Sequence, residues 1–169
     1  MPFTARPADV PELAAGRPEE VARENARRKA LALADEGART GATVLGVDTL
    51  VTVDGAIHGK PADAARARAT LAALSGRRHE VLSGICAIPP GEPPRTALAR
   101  TAVRFRALDD ATLDWYVATG EWRERAGGYA IQGKGAALVA AIEGDYLNVV
   151  GLPVAALMEL LPGILHGSA

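Results

Sequence analysis

Cysteine, lysine, amide side chains and aromatics are nearly absent from this chain, and each shortage narrows what it can be. The single cysteine, Cys86, excludes an intrachain disulfide and fits a reducing compartment. It sits inside an apolar, strand-like run, which makes it a poor nucleophile. The three histidines, His58, His79 and His166, do not fall at zinc-ligand spacing. No serine stands in a nucleophile-elbow context. No stretch approaches the ~18 uninterrupted apolar residues of a membrane span, and the first residues carry no apolar run resembling a signal peptide. The net charge of −1 gives no electrostatic reason to expect nucleic acid or a membrane as partner. A soluble, cytoplasmic protein is expected, in which any anionic ligand is held by a local cluster of positive groups.

The 169 residues fit one domain, or a domain of two tightly joined lobes. A chain of that length buries roughly 70% of its unfolded surface, so it needs no disulfide or structural metal to fold. With aromatics at 4%, Ala, Val and Leu must build the core. The spacing predicts a helix from Pro18 to Gly37, with Ala22, Ala26, Ala30 and Leu33 as its apolar stripe. A strand is expected over residues 43–47 and again over 50–53, with Asp54-Gly55 turning into Ile57. Asp63 and Asp109 read as caps for helices running to Leu74 and Ala118. Residues 80–88 and 96–105 read as an antiparallel pair joined by a Pro- and Gly-rich turn, and Pro153 opens a last helix through Leu161. Val139, Ile142 and Leu147 read as core, and residues 166–169 as a frayed tail. Strands and helices interleave, so the class is α/β with a mixed sheet.

The basic residues are overwhelmingly Arg; the lysines are Lys29, Lys60 and Lys134. In such a chain a retained Lys hints that a compact ammonium charge is needed there. Lys29 lies four residues after Asn25, so both side chains can reach one place from a helix. Lys60, in Gly59-Lys60-Pro61, presents an ammonium from a loop of fixed shape, as a phosphate contact requires. In Gly46-Val47-Asp48-Thr49 an apolar strand ends in a carboxylate, which puts it at a sheet edge, where α/β proteins commonly bind ligands. Asp48 there can orient or deprotonate water, hold Mg²⁺, or simply accept backbone hydrogen bonds at a turn. The glycines at 127, 128, 133 and 135 lack the spacing of phosphate-loop and dinucleotide-binding motifs, but they let the backbone approach a ligand closely.

Read in order, these pieces resemble the Maf family. The resemblance rests on Asn25-Ala26-Arg27-Arg28-Lys29-Ala30, Gly46-Val47-Asp48-Thr49, Gly59-Lys60-Pro61 and Ser75-Gly76-Arg77-Arg78-His79-Glu80-Val81. It continues through Ala126-Gly127-Gly128-Tyr129-Ala130-Ile131-Gln132-Gly133 and closes on the run from Tyr146 to Pro153. It covers nearly the whole chain. It implies an elongated two-lobed fold like that of the inosine triphosphate pyrophosphatases, with a nucleotide in the central cleft. It also implies a divalent cation, Mg²⁺ or Mn²⁺, and a homodimer. By motif, Asp48 is the proton acceptor that activates water, Thr49 and Gln132 are specificity positions, and Lys29 and Lys60 lie near the phosphates. Glu12, after Asp9-Val10-Pro11, matches an acidic active-site position and with Asp48 is the expected metal ligand.

The implied reaction is hydrolysis of dTTP or UTP to the monophosphate and pyrophosphate. A uracil or thymine edge offers an N–H flanked by carbonyls, and the Gln132 amide has a carbonyl and an NH₂ to answer both. Two rivals stand beside this reading: a non-catalytic nucleotide-binding protein influencing cell division, and a broad-specificity triphosphatase of the inosine-triphosphate type. Family members begin with an apolar strand and a Ser-x-Ser-Pro-Arg loop whose Arg binds substrate, and nothing of the kind precedes Phe3. A misplaced start or a shortened gene is the implied cause, and slow turnover by this form is the expectation.

Overall fold

The computed structural model describes residues 3–164. Helix α1, Pro18–Leu31, starts on a proline and carries Glu19 and Glu20 in its first turn and Arg28 and Lys29 in its last, all favourable for the helix dipole. Helix α2 follows at Ala34–Thr40. Strands β1, Val44–Val53, and β2, Ala56–His58, form a hairpin turned by Asp54 and Gly55, both at positive φ. Helix α3, Ala64–Leu74, is capped by the Asp63 carboxylate, which accepts from the Arg66 N–H. Then come β3, Arg78–Ile88, β4, Arg95–Phe105, and α4, Asp110–Ala118, capped by Asp109. Strand β5, Val139–Glu143, and helices α5, Tyr146–Val150, and α6, Val154–Leu160, complete the described chain. The predicted fray at 166–169 lies outside the described residues.

The sheet order is β2-β1-β3-β4-β5. The α/β class holds, but every pairing among the described strands is antiparallel, so the sheet is not mixed. The link through β2 and α3 returns the chain beside β1 running the other way. Long strands with alternating faces then carry different loads on each side.

One face carries Gly46, Asp48 and Leu50 of β1 and Gly84 and Cys86 of β3, and α1 lies across it. Ala22, Ala26 and Ala30 of α1 are fully buried against it. A Cβ on Gly46 would sit 2.2 Å from the Ala26 carbonyl oxygen, and one on Gly84 would sit 2.1 Å from that of Ala22. Small residues on both surfaces therefore let the helix backbone rest directly on the strands. The opposite face carries the larger core: Val51, Val81, Val103 and Phe105 against Leu71 and Leu74 of α3 and Leu113 and Tyr116 of α4. A buried leucine of this kind stabilises the fold by about 1.5–3 kcal/mol. A second cluster, Ile85, Ala87, Leu157 and Leu161 with Val47 against it, lies farther along the same face. Between the two clusters the sheet is polar, with Thr49 Oγ1 2.8 Å from Ser83 Oγ.

Three expectations need correction. The helix predicted to stop at Gly37 breaks after Leu31 instead, and Gly37 is buried inside α2. A Cβ there would lie 2.4 Å from Val44 Cγ2, so that glycine serves close packing, while Gly41, at φ 69°, is the residue that ends the helix. Residues 44–53 form one unbroken strand, so Asp48 stands in mid-strand rather than at a strand end. Leu147, expected in the core, is exposed, because α5 turns its other side, with Asn148, inward.

Candidate active site

The close approach of α1 sets the site. From α1, Lys29 Nζ donates to Asp48 Oδ1 at 2.6 Å and Asn25 Nδ2 donates to Asp48 Oδ2 at 3.1 Å. Asp48 is 6% exposed, a buried carboxylate with a charged partner on one oxygen and an amide on the other. Asn25 is itself fixed by the segment before α1: its Oδ1 accepts from the Leu13 N–H at 2.7 Å and its Nδ2 also donates to the Leu13 carbonyl. That segment brings Glu12 to Lys29, with Oε1 2.7 Å from Nζ. Burial disfavours the Lys29 ammonium, but its bonds to Asp48 and Glu12 outweigh that cost and raise its pKa above the ordinary lysine value.

Strand pairing brings the second lysine in. β2 pairs with Val51–Val53, His58 standing opposite Val51, and Lys60, two residues beyond that pair, lines the same cavity as Asp48 and Thr49. The Gly59 carbonyl accepts from the Gly127 N–H at 3.1 Å, tying this loop to the Gly127-Gly128 turn. Gly127, at φ 67°, packs so close to the sheet that a Cβ would lie 2.7 Å from Val51 Cγ2. Lys60 Nζ lies 3.4 Å from Glu124 Oε2, both largely exposed.

A cavity of about 190 Å³ opens where these pieces meet, and its lining includes Lys29, Asp48, Thr49, Lys60 and Gln132. Five of the six residues expected from the sequence therefore share one cavity, and the sixth, Glu12, touches it through Lys29. The Gln132 amide is exposed and makes no side-chain hydrogen bond among the described residues, whereas the Thr49 hydroxyl is engaged by Ser83. The sequence alone does not reveal Asn25 as a partner of Asp48, nor Glu124, Arg125 and Tyr129 as lining. Asn25 leaves a signal in its spacing from Lys29, and Tyr129 in its place within the Ala126–Gly133 motif.

Tyr129 forms the floor. Its hydroxyl lies 2.9 Å from His79 Nε2, and both rings stand edge-on to Phe105. Burial lowers the His79 pKa to about 4, with His58 adding to the effect, and burial pushes the Tyr129 phenol up, with Tyr116 adding. Both are neutral at pH 7, so this part of the lining is uncharged.

Glu12 and Asp48 are the residues that could hold a divalent cation, since both carboxylates converge on one ammonium. No group of three or more acidic, His or Cys side chains suited to a metal exists among the described residues. Two carboxylates match Mg²⁺, which is commonly held by one or two carboxylates together with substrate phosphates.

A buried carboxylate held between an ammonium and an amide, in a cavity that Lys60, Glu124 and Arg125 also line, marks the candidate active site of this α/β protein. The family profile described as "Maf-like protein" matches residues 1–164. A dTTP/UTP pyrophosphatase of Symbiobacterium thermophilum is 46% identical over 163 residues, covering 95% of this chain and 82% of that protein. One of Moorella thermoacetica is 47% identical over 162 residues, covering 95% and 84%. One of Pyrococcus furiosus is 50% identical over 119 residues, covering 70% of this chain and 62% of that protein, under two thirds of its length. The chain belongs to the Maf family.

Proposed function

We propose that this protein hydrolyses dTTP or UTP to the nucleoside monophosphate and pyrophosphate, in a single domain whose two lobes flank the cavity. The observation that carries the reading is the placement of Asp48, Lys29, Lys60 and Gln132 around one cavity. The names of the relatives supply the substrate.

Asp48 is the proton acceptor. Each oxygen holds one donor, Lys29 or Asn25, which leaves lone pairs for a water and fixes their direction. Water attacks the α-phosphorus, its proton passes to Asp48, the bond from the α-phosphorus to the bridging oxygen breaks, and pyrophosphate leaves. Lys29 and Lys60 bind the phosphate oxygens as negative charge grows on them. Glu12 and Asp48 are the residues that would hold Mg²⁺ or Mn²⁺, which would supply Lewis-acid polarisation of a phosphoryl oxygen there. Gln132 meets the base edge, and Thr49, held by Ser83, sets the adjoining wall.

We assign the protein to the cytoplasm, where the buried free thiol of Cys86 stays reduced. A homodimer is the assembly we expect, supported by the exposed apolar side chains Tyr146, Leu147 and Leu152. The test of the function is pyrophosphate release from a panel of nucleoside triphosphates with Mg²⁺. UTP and dTTP should lead. Preference for ITP would favour the broad-specificity rival, and binding of nucleotide without release would favour the non-catalytic one.

A further inference from the structure

The cavity holds one cation, Arg125, that lies outside the family motifs. Arg125 lines it, is exposed, and makes no side-chain hydrogen bond or ion pair among the described residues. Its neighbours in the cavity are committed: Lys29 to Asp48 and Glu12, and Lys60 to Glu124. Around the cavity, then, three cations (Lys29, Lys60 and Arg125) face three carboxylates (Glu12, Asp48 and Glu124). Without Arg125 the carboxylates would outnumber the protein's own cations at the cavity, which disfavours a polyphosphate.

The position of Arg125 is fixed although its side chain is uncommitted. Its N–H donates to the Trp122 carbonyl at 3.3 Å, and its own carbonyl accepts from the Gly128 N–H at 3.0 Å. Two residues on, the Gly127 N–H bonds to Gly59, the neighbour of Lys60. The loop bearing Arg125 and the loop bearing Lys60 are thus stitched together on the same rim. A guanidinium offers a planar donor fork that matches phosphate oxygens better than a point charge does.

We propose that Arg125 is a substrate-binding residue that grips the two outer phosphates, the part released as pyrophosphate. This rests on the nucleotide reading of the cavity. The test is calorimetric titration of wild type, Arg125→Gln and Arg125→Lys with three probes in Mg²⁺: α,β-imido-dUTP, inorganic pyrophosphate and UMP. Arg125→Gln should weaken α,β-imido-dUTP and pyrophosphate at least about tenfold, about 1.4 kcal/mol, and change UMP by less than about twofold. Arg125→Lys should fall between, because it keeps the charge and loses the fork. The thermal midpoint should not move, since the side chain holds nothing in the fold. Equal binding of α,β-imido-dUTP by wild type and Arg125→Gln would overturn the assignment and leave the nucleotide reading standing. Equal weakening of UMP and the triphosphate analogue would also overturn it, placing Arg125 at the nucleoside end. Wild type binding none of the three probes would sink the nucleotide reading itself, and the proposal with it.

Discussion

The Asp48 carboxylate accepts from Lys29 on one oxygen and from Asn25 on the other, so replacing it disturbs chemistry and packing together. Asp48→Asn keeps the shape and removes the base, and general-base losses run about 10²–10⁴-fold in kcat. It also leaves Lys29, 21% exposed, with Glu12 as its one carboxylate partner among the described residues, so stability should fall by about 1–3 kcal/mol. Steady-state pyrophosphate release and urea unfolding read the two effects separately. Gln132 presents the opposite case, an amide with no side-chain hydrogen bond among the described residues. Gln132→Glu should leave the unfolding midpoint alone while reducing the ratio of UTP to GTP turnover about tenfold, because a carboxylate would face the uracil carbonyls. An unchanged ratio would show that residue 132 does not touch the base. His79 supplies a pH dependence. Between pH 6.5 and about 4 the unfolded chain takes up a proton that the folded His79 refuses. Stability should therefore drop as pH falls through that window, by about 3 kcal/mol if the whole shift is realised. His79→Gln should flatten this part of the profile in thermal melts taken at pH 4 to 7.

At the scale of elements, the site depends on how closely α1 lies on β1 and β3. Gly84→Ala would drive a Cβ into the Ala22 carbonyl, a backbone atom that cannot step aside, and overpacking of this kind costs about 1–3 kcal/mol or more. Lifting α1 also draws Lys29 from Asp48, so kcat should fall along with the urea midpoint. Gly59→Ala, where nothing lies within 4 Å of the added carbon, is the matched control and should leave stability unchanged. Much of this layer was legible in the sequence. Alanine at helical spacing marked the buried face of α1, and Asp63 and Asp109 marked two helix starts. The alternation in β4 put Thr101, Val103 and Phe105 on one side. What misled was glycine: Gly37 reads as a stop, but its purpose is contact with Val44, a partner seven residues away that local pattern does not reveal. The break in the predicted strand had a similar source. Asp48 and Thr49 are polar, yet tertiary partners on each face, Lys29 and Ser83, keep both inside a continuous strand.

At the scale of the whole molecule, the residues gathered at the cavity come from positions as far apart as 29 and 151, and the sheet register, the seat of α1 and the bond between the Gly59 and Gly127 loops bring them together. The retained lysines and the sole glutamine stood out against an arginine-rich background, so three of the cavity's polar residues were visible before the fold was. Arg125 was invisible for the same reason, one arginine among many. The central claim is that a water activated at Asp48 attacks the α-phosphorus of a pyrimidine triphosphate. Hydrolysis of UTP in ¹⁸O-labelled water, followed by mass analysis of both products, tests it most directly. The account predicts that the label enters UMP and leaves pyrophosphate unlabelled; label in the pyrophosphate, with none in UMP, would contradict it.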